Sequence, residues 1–330
     1  MSGFRYALSR SLVHLACVRM LSVLIMLTAV QAGAGGNEPG ELRIGYQKSS
    51  VNLLVARQLG LVDRQFPRTR VQWAEFGAGP QLLEALGAQG LDFGMTGDTP
   101  PIFAQAAGRD ILYVGVEPPK PHSSAVLVTP QSDITSLSGL RGKRVAFQKG
   151  SSAHYLVLRA LAQAGLHYAD IQPIYLAPAD ARAAFENRSV DAWAIWDPYW
   201  AAVEQATGAR VLATGEGLSD NNSFYQSTRE FSDRYPETIQ ILLRLLTEAD
   251  HYLRSHPADA SALIATAIGL TPEAANTFLG RRPASPVEPL SPSVIAAQQA
   301  IADAFLNAGL IPHAISIAAA VWQPKSARNP

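Results

Sequence analysis

Cysteine is all but missing from this sequence. Of its 330 residues only Cys17 is a cysteine, and it lies close to the start of the chain. The remainder can form no disulfide and offers no thiolate to a metal or a reaction, so the fold must rest on a large apolar core. An excess of one charge is missing too: Lys plus Arg and Asp plus Glu both number 27, with the signs mixed along the chain. That excludes the one-sided basic field of a nucleic-acid binder. A charged ligand would have to be held by local arrangement. Long hydrophobic runs are also lacking. The apolar stretch 20–30 falls well short of the ~20 residues that span a bilayer, and no later segment is long enough. Catalytic signatures are absent as well: there is no Gly-x-Ser-x-Gly elbow, no phosphate loop and no dinucleotide fingerprint after the first strand. The seven histidines are scattered, and His251 and His256 are five apart, off the spacing of a helical metal pair. The expectation is a binding module with no cofactor and no metal, not an enzyme.

What is present begins with a leader. Arg5, Arg10 and Arg19 precede the apolar run 20–30, and Val30-Gln31-Ala32 and Ala32-Gly33-Ala34 both read as small-x-small cleavage sites. That is the pattern of a secretory signal peptide over 1–34. Cys17 lies ahead of the apolar run and leaves with it, so no stable membrane insertion is expected after removal. Roughly 295 residues then remain, enough for one large domain or two of ordinary size.

The body of the chain alternates short apolar strands with helices. Strands are predicted at 42–46, 71–76, 92–95, 111–116, 125–128, 143–147, 174–176 and 191–196, with helices between many of them, several stopped by glycine. Such alternation argues for parallel βαβ units. From about Pro236 the pattern becomes helical, over 239–255, 258–268, 272–279 and 292–308. The fold class is α/β with a helical C-terminal part.

An internal echo carries more information. Arg43-Ile44-Gly45-Tyr46-Gln47-Lys48-Ser49-Ser50 returns as Arg144-Val145-Ala146-Phe147-Gln148-Lys149-Gly150-Ser151-Ser152, with one glycine inserted. The acidic spacing of Asp92 and Asp98 returns in Asp191 and Asp197. The offsets are 101 residues for Arg43 to Arg144 and 99 for Asp98 to Asp197. Two lobes on one plan, each giving the same two loops to a shared cleft, account for this; chance likeness between βα units is the alternative.

These loops all open helices. Ser49 or Ser50, Gly79-Pro80, Asp98-Thr99-Pro100, Ser151-Ser152 and Asp197-Pro198 each stand at a helix start, where backbone N–H groups lack intrahelical partners. Several such starts converging make an anion site without a buried lysine. Taken singly, each serine reads first as a plain cap; it is their joint occurrence in echoed positions that points to a site. Asp98 and Asp197 read most simply as N-caps, or as acceptors for a ligand hydroxyl or amine. Lys48 and Lys149 are candidates against a reading as solvated strand ends, and His154 against a packing role. Trp196, at a strand's carboxyl end, is the candidate apolar wall. Phe224 and Tyr225 stand where the chain would return to the first lobe, as wall or hinge.

Longer motifs carry a family resemblance. Gly45 through Ser49, Glu75 through Leu86, Thr96 through Pro101, Val114 through Pro121, Phe147 through Ser152, Pro178 through Phe185, Val190 through Tyr199 and Val321 through Pro324 resemble the periplasmic aliphatic-sulfonate-binding subunits of ABC importers. The likeness covers essentially all of the chain after the leader. It implies a two-lobed periplasmic-binding-protein fold of the second type, with crossings near Ser124–Val128 and Ser223–Thr228. Lobe 1 would comprise 41–125 and 226–330, and lobe 2 would comprise 126–225. The implied protein is a periplasmic monomer that hands its ligand to a permease with its ATPase subunit. The implied sulfonate site takes in 47–49, Gly79, Gly97, Asp98, Ser151 and Ser152, with Trp196 and Asp197 alongside. Related binders accept taurine, nitrate or pyrimidines, and a sulfate ester is a further alternative, so the fold alone does not settle the ligand.

Overall fold

The structure, a computed structural model, describes residues 38–324. The expected leader at 1–34, with Cys17, lies outside the described residues. In chain order the strands are β1 (Glu41–Tyr46), β2 (Arg70–Glu75), β3 (Phe93–Gly97), β4 (Ile111–Glu117) and β5 (Ser124–Val128). They continue with β6 (Arg144–Phe147), β7 (Gln172–Tyr175), β8 (Ala192–Trp196), β9 (Arg210–Thr214) and β10 (Ser223–Thr228). They form two five-stranded sheets, ordered β2-β1-β3-β10-β4 and β7-β6-β8-β5-β9. The two orders are the same plan. β1, β2, β3 and β4 correspond to β6, β7, β8 and β9, and β10 of one sheet takes the place of β5 in the other.

The expected parallel units hold for β1 with β2 and β3, and for β6 with β7 and β8. β5 and β10 depart from them, each running antiparallel to both of its neighbours. Each is the first strand after the chain changes sheets, so it arrives without the crossover helix that a parallel neighbour requires. For the same reason the crossings are not Ser124–Val128 and Ser223–Thr228. Those segments are buried strands, and the chain changes sheets just ahead of them, at 118–123 and 215–222. The two crossings lie side by side. Lys120 N–H donates to the Asp220 carbonyl at 2.7 Å, and Asn221 Nδ2 to the Lys120 carbonyl at 3.2 Å. Gly215 is required there, because a Cβ on it would stand 2.6 Å from the Pro121 carbonyl oxygen.

Each sheet has its own core. Val126, Phe147, Phe185 and Trp193 are buried with the second sheet, and Leu42, Ile44, Phe93, Leu242 and Phe278 with the first. Every residue of β8 is buried, so both faces are covered, as befits a strand flanked by helices on both sides. The C-terminal helices are Pro236–Ser255, Pro257–Ile268, Pro272–Gly280 and Pro292–Asn307, within a few residues of the predicted bounds. In the first of them Ile239, Leu242, Leu246 and Ala249 form one buried stripe, turned toward the helix Val51–Gln58.

The echo is visible in side-chain detail. Asp92 Oδ2 accepts from Arg43 N–H at 2.8 Å and Nε at 3.0 Å; Asp191 Oδ2 accepts from Arg144 N–H at 2.7 Å and Nε at 3.2 Å. Each arginine also donates to the carbonyl of a left-handed residue, Gln89 at φ 58° and Arg188 at φ 63°. Hydrogen bonds to charged groups stabilise by about 1.5–3 kcal/mol, less where solvent screens them. The Asp92 side chain is 10 % exposed and that of Asp191 is 30 %. Asp92→Ala is therefore expected to cost about 2 kcal/mol in urea unfolding and Asp191→Ala about half of that. Equal costs, or the reverse order, would contradict this account of the paired arginines.

Candidate functional site

Strand ends and helix starts from both sheets meet around one small cavity of ≈ 50 Å³. The first sheet contributes Gln47 and Ser49 after β1, Gly79 at the start of the helix Gly79–Gly87, and Met95 and Gly97 from β3. The second contributes Ser151 and Ser152 after β6, and Trp196 and Asp197 at the end of β8. The crossings add Lys120, Ser123 and Asn221, and the C-terminal part adds Phe278 and Arg282.

The helix starts here are left open. Ser50 Oγ accepts from Gln47 N–H at 3.0 Å, and Ser151 Oγ donates to the Gln148 carbonyl at 2.7 Å. Neither hydroxyl caps its helix, and the helix starting at Gly79 has no side-chain cap either. Thr228, Thr271 and Ser291, elsewhere in the chain, do cap theirs. The uncapped starts keep N–H groups available to an anion. Two glycines hold the elements close. A Cβ on Gly97 would stand 2.1 Å from Ser152 Oγ of the other sheet's half, and one on Gly79 would stand 2.5 Å from Pro100 Cγ.

Charged side chains complete the site, and they include a buried lysine that the helix-start argument did not require. Lys120 Nζ donates to Glu117 Oε2 at 3.0 Å and Arg282 Nη1 to the same oxygen at 3.1 Å, while Tyr225 Oη donates to Glu117 Oε1 at 2.6 Å. Burial pushes the Glu117 carboxyl up, but Arg282, Lys120 and the tyrosine bond outweigh it and hold it at about 2. Burial also lowers the Lys120 ammonium. Opposite, burial raises the Asp197 carboxyl to about 7, against the opposing pull of Arg281. The Arg281 guanidinium lies 3.4 Å over the Trp200 ring and bonds Asp197 Oδ1 at 3.2 Å and Glu204.

Of the twelve residues expected at the site, the structure brings Gln47, Ser49, Gly79, Gly97, Ser151, Ser152, Trp196 and Asp197 to the cavity wall. Four others stand off it. Lys48 turns away, its Nζ donating to the Ile268 carbonyl at 3.2 Å. Asp98 is sealed beneath the wall, does not cap its helix, and accepts from Thr99 Oγ1 at 2.9 Å; burial raises its pKa. His154 is packed among Phe103, Phe147 and Phe305, bonds Tyr168 Oη at 3.0 Å, and is driven down to about 3 by burial. Tyr225 reaches the site only through Glu117. Asp197 stands one residue ahead of the N-cap, Pro198, and accepts the Ala201 N–H at 3.0 Å. Lys120, Arg282, Asn221, Met95 and Phe278 were missed. Lys120 sat in a quoted motif between two prolines, and Arg281-Arg282 followed a helix end, but nothing local marks either arginine as buried. Among the described residues no group of three or more His, Cys, Asp or Glu is placed to hold a metal.

Residues 35–269 match the model of the NMT1-like family. The putative aliphatic sulfonates-binding protein of Escherichia coli K12 is 45% identical over 315 residues, covering 96% of this chain and 97% of that protein. The alkanesulfonate-binding protein SsuA from Xanthomonas axonopodis pv. citri, solved bound to MOPS, is 48% identical with a TM-score of 0.84, over 86% of this chain and 99% of that one. The periplasmic aliphatic sulphonate binding protein SsuA from Escherichia coli is 46% identical with a TM-score of 0.81, over 88% of this chain and 95% of that one.

The glycine contacts give a matched test. Gly79→Ala is expected to destabilise by about 1–3 kcal/mol through overpacking against Pro100. Gly77→Ala, where a Cβ meets nothing within 4 Å, should stay within about 0.5 kcal/mol of the native protein. Urea unfolding of both variants checks this, and equal stabilities would refute the close approach at Gly79.

Proposed function

This chain belongs to the NMT1-like family, alongside proteins named for binding aliphatic sulfonates, and from that premise we propose that it captures an alkanesulfonate for an ABC importer. The fold is the two-lobed periplasmic-binding-protein fold with two crossing segments and a helical C-terminal part. In this reading, lobe 1 (the first sheet, up to 117 and again from 223) and lobe 2 (the second sheet, 124–214) close on the ligand, so the expected bounds at 125/126 and 225/226 move to the crossings; the leader at 1–34 sends the chain to the periplasm, and the monomer docks on a permease with its ATPase subunit. It binds and releases its ligand without chemistry, as the names of its relatives support.

One observation carries the reading: open helix starts from both sheets and two buried cations face a single cavity that also has an apolar wall. A sulfonate is ionised at any physiological pH and has three acceptor oxygens. The N–H groups at Ser49, Gly79 and Ser152 and the cations Lys120 and Arg282 are its donors. Each such bond is worth about 1.5–3 kcal/mol. Trp196, Met95 and Phe278 receive the tail, at about 0.8 kcal/mol per buried methylene. Asp197 already serves Arg281 and the Ala201 N–H, which disfavours a ligand that needs a carboxylate for its ammonium, as taurine would. Contacts to both lobes favour the closed form, which the permease then reads.

Protein freed of co-purified ligand should change its tryptophan fluorescence on adding micromolar alkanesulfonates, with affinity rising about fourfold per methylene until the wall is filled. Silence across the C2–C8 series would sink the assignment. The ligand does not titrate, so pH dependence reports the protein. Asp197 gains its proton as pH falls through about 7, which removes a negative charge from the cavity wall. Affinity should therefore be higher at pH 6 than at pH 8 by roughly tenfold, and Asp197→Asn should flatten the profile. A profile that stays as steep in that variant would assign the titration elsewhere.

A further inference from the structure

We propose that Arg282, acting with Lys120 and Glu117, sets the charge of the ligand at one negative unit and refuses dianionic headgroups. This rests on the sulfonate reading and goes beyond it to the rule by which the cavity selects among oxyanions.

Three observations combine. The Arg282 and Glu117 side chains are 2 % and 0 % exposed, and that of Lys120 is 8 %, so these charges are taken out of water. Glu117 is one carboxylate between two cations, which leaves one positive charge unanswered at a cavity that Lys120 and Arg282 both line. Arg282 spends Nη1 on Glu117 and Nη2 on Asn52 Oδ1 at 2.9 Å, while its buried Nε–H has no acceptor. A buried donor without a partner carries a desolvation penalty that a ligand oxygen removes.

The other charges near the cavity do not alter the sum. Asp197 is answered by Arg281; Glu204, which shares that arginine, is 34 % exposed and screened by solvent. Burial favours the neutral form of Asp98. A monoanion entering this cavity cancels the spare charge. A dianion leaves one negative charge buried without a partner, and the cost of stripping its water rises with the square of its charge while its attraction rises only in proportion. Shape and hydrogen bonding alone would not separate a sulfonate from a phosphonate, since both offer three oxygens on a tetrahedral centre.

Calorimetry with hexanesulfonate and hexylphosphonate on the native protein tests this well below and well above the second ionisation of the phosphonate. The sulfonate serves as control for Asp197, since it stays a monoanion throughout. The dianionic phosphonate should bind at least ~30-fold more weakly than the sulfonate, and the monoanionic phosphonate within about fivefold of it. Arg282→Gln should weaken sulfonate binding by about 10- to 100-fold. Glu117→Gln, which adds a second spare positive charge, should shift the preference toward the dianion by at least ~10-fold. A cluster that merely clamps the crossings would leave the sulfonate-to-phosphonate ratio unmoved. Equal affinity for sulfonate and dianionic phosphonate in the native protein overturns the charge rule and leaves the sulfonate reading standing; absence of any hexanesulfonate binding removes both. The ratio in the native protein decides even where a variant fails to fold.

Discussion

Glu117, Lys120 and Arg282 come from β4, the first crossing and the segment after the helix Pro272–Gly280, and they meet out of contact with water. Burying two cations is costly unless carboxylate and hydrogen-bond partners come with them, so this trio fixes how its surroundings are arranged. Tyr225 of β10 and the Asn222 amide, bonded to the Glu117 carbonyl at 3.2 Å, are drawn to the same point. Both crossings are thus tied to one buried charge cluster that also forms part of the cavity wall. An anion at that wall acts on the segments about which the two halves of the molecule would turn.

The rest of the architecture supplies symmetry around that point. Two sheets of the same order present the ends of β1 and β3, and of β6 and β8, to a common space. Open helix starts supply partial positive charge from both sides, while the whole positive charges at the cavity come from the first crossing and the C-terminal part. This division explains how a chain with no net charge provides an anion site. The compensating carboxylates are placed behind the cations or, like Asp197, beneath an arginine. Bulk charge plays no part.

Much of this was legible in the sequence, and the limits of legibility are physical. Strand and helix periodicity, glycine stops and proline starts are local, and they located the parallel units and the C-terminal helices closely. The echo of Arg43 and Asp92 in Arg144 and Asp191 was legible because each pair fixes the same turn in both halves. β10 was placed at a crossing by the family resemblance, and Ser223-Phe224-Tyr225-Gln226-Ser227-Thr228 has no clean alternation to mark it as a strand; its burial comes from β3 and β4 on either side. At the site, residues at helix starts were found and the charge cluster was not. Glu117, Lys120, Tyr225 and Arg282 lie up to 165 residues apart, and no periodicity signals that they meet. Lys48 shows the opposite failure: a lysine beside the right loop whose four-carbon stem carries its charge to the Ile268 carbonyl instead.

The contacts that join the halves bear on how ligand and closure are coupled. Tyr199 Oη donates to the Gly77 carbonyl at 3.2 Å, Phe103 meets His154 at a ring separation of 6.0 Å, and Arg281 reaches Asp197 and Glu204 across the cavity's edge. None of these needs a ligand, so the closed arrangement has stabilising contacts of its own. Arg281, however, holds a carboxylate that burial pushes toward its protonated form, which weakens the pair. Against them stand the spare positive charge and the unpaired Nε–H of Arg282, both buried in this arrangement. An anion at the cavity would satisfy both groups, so on the proposed reading it favours this arrangement over one in which the halves part.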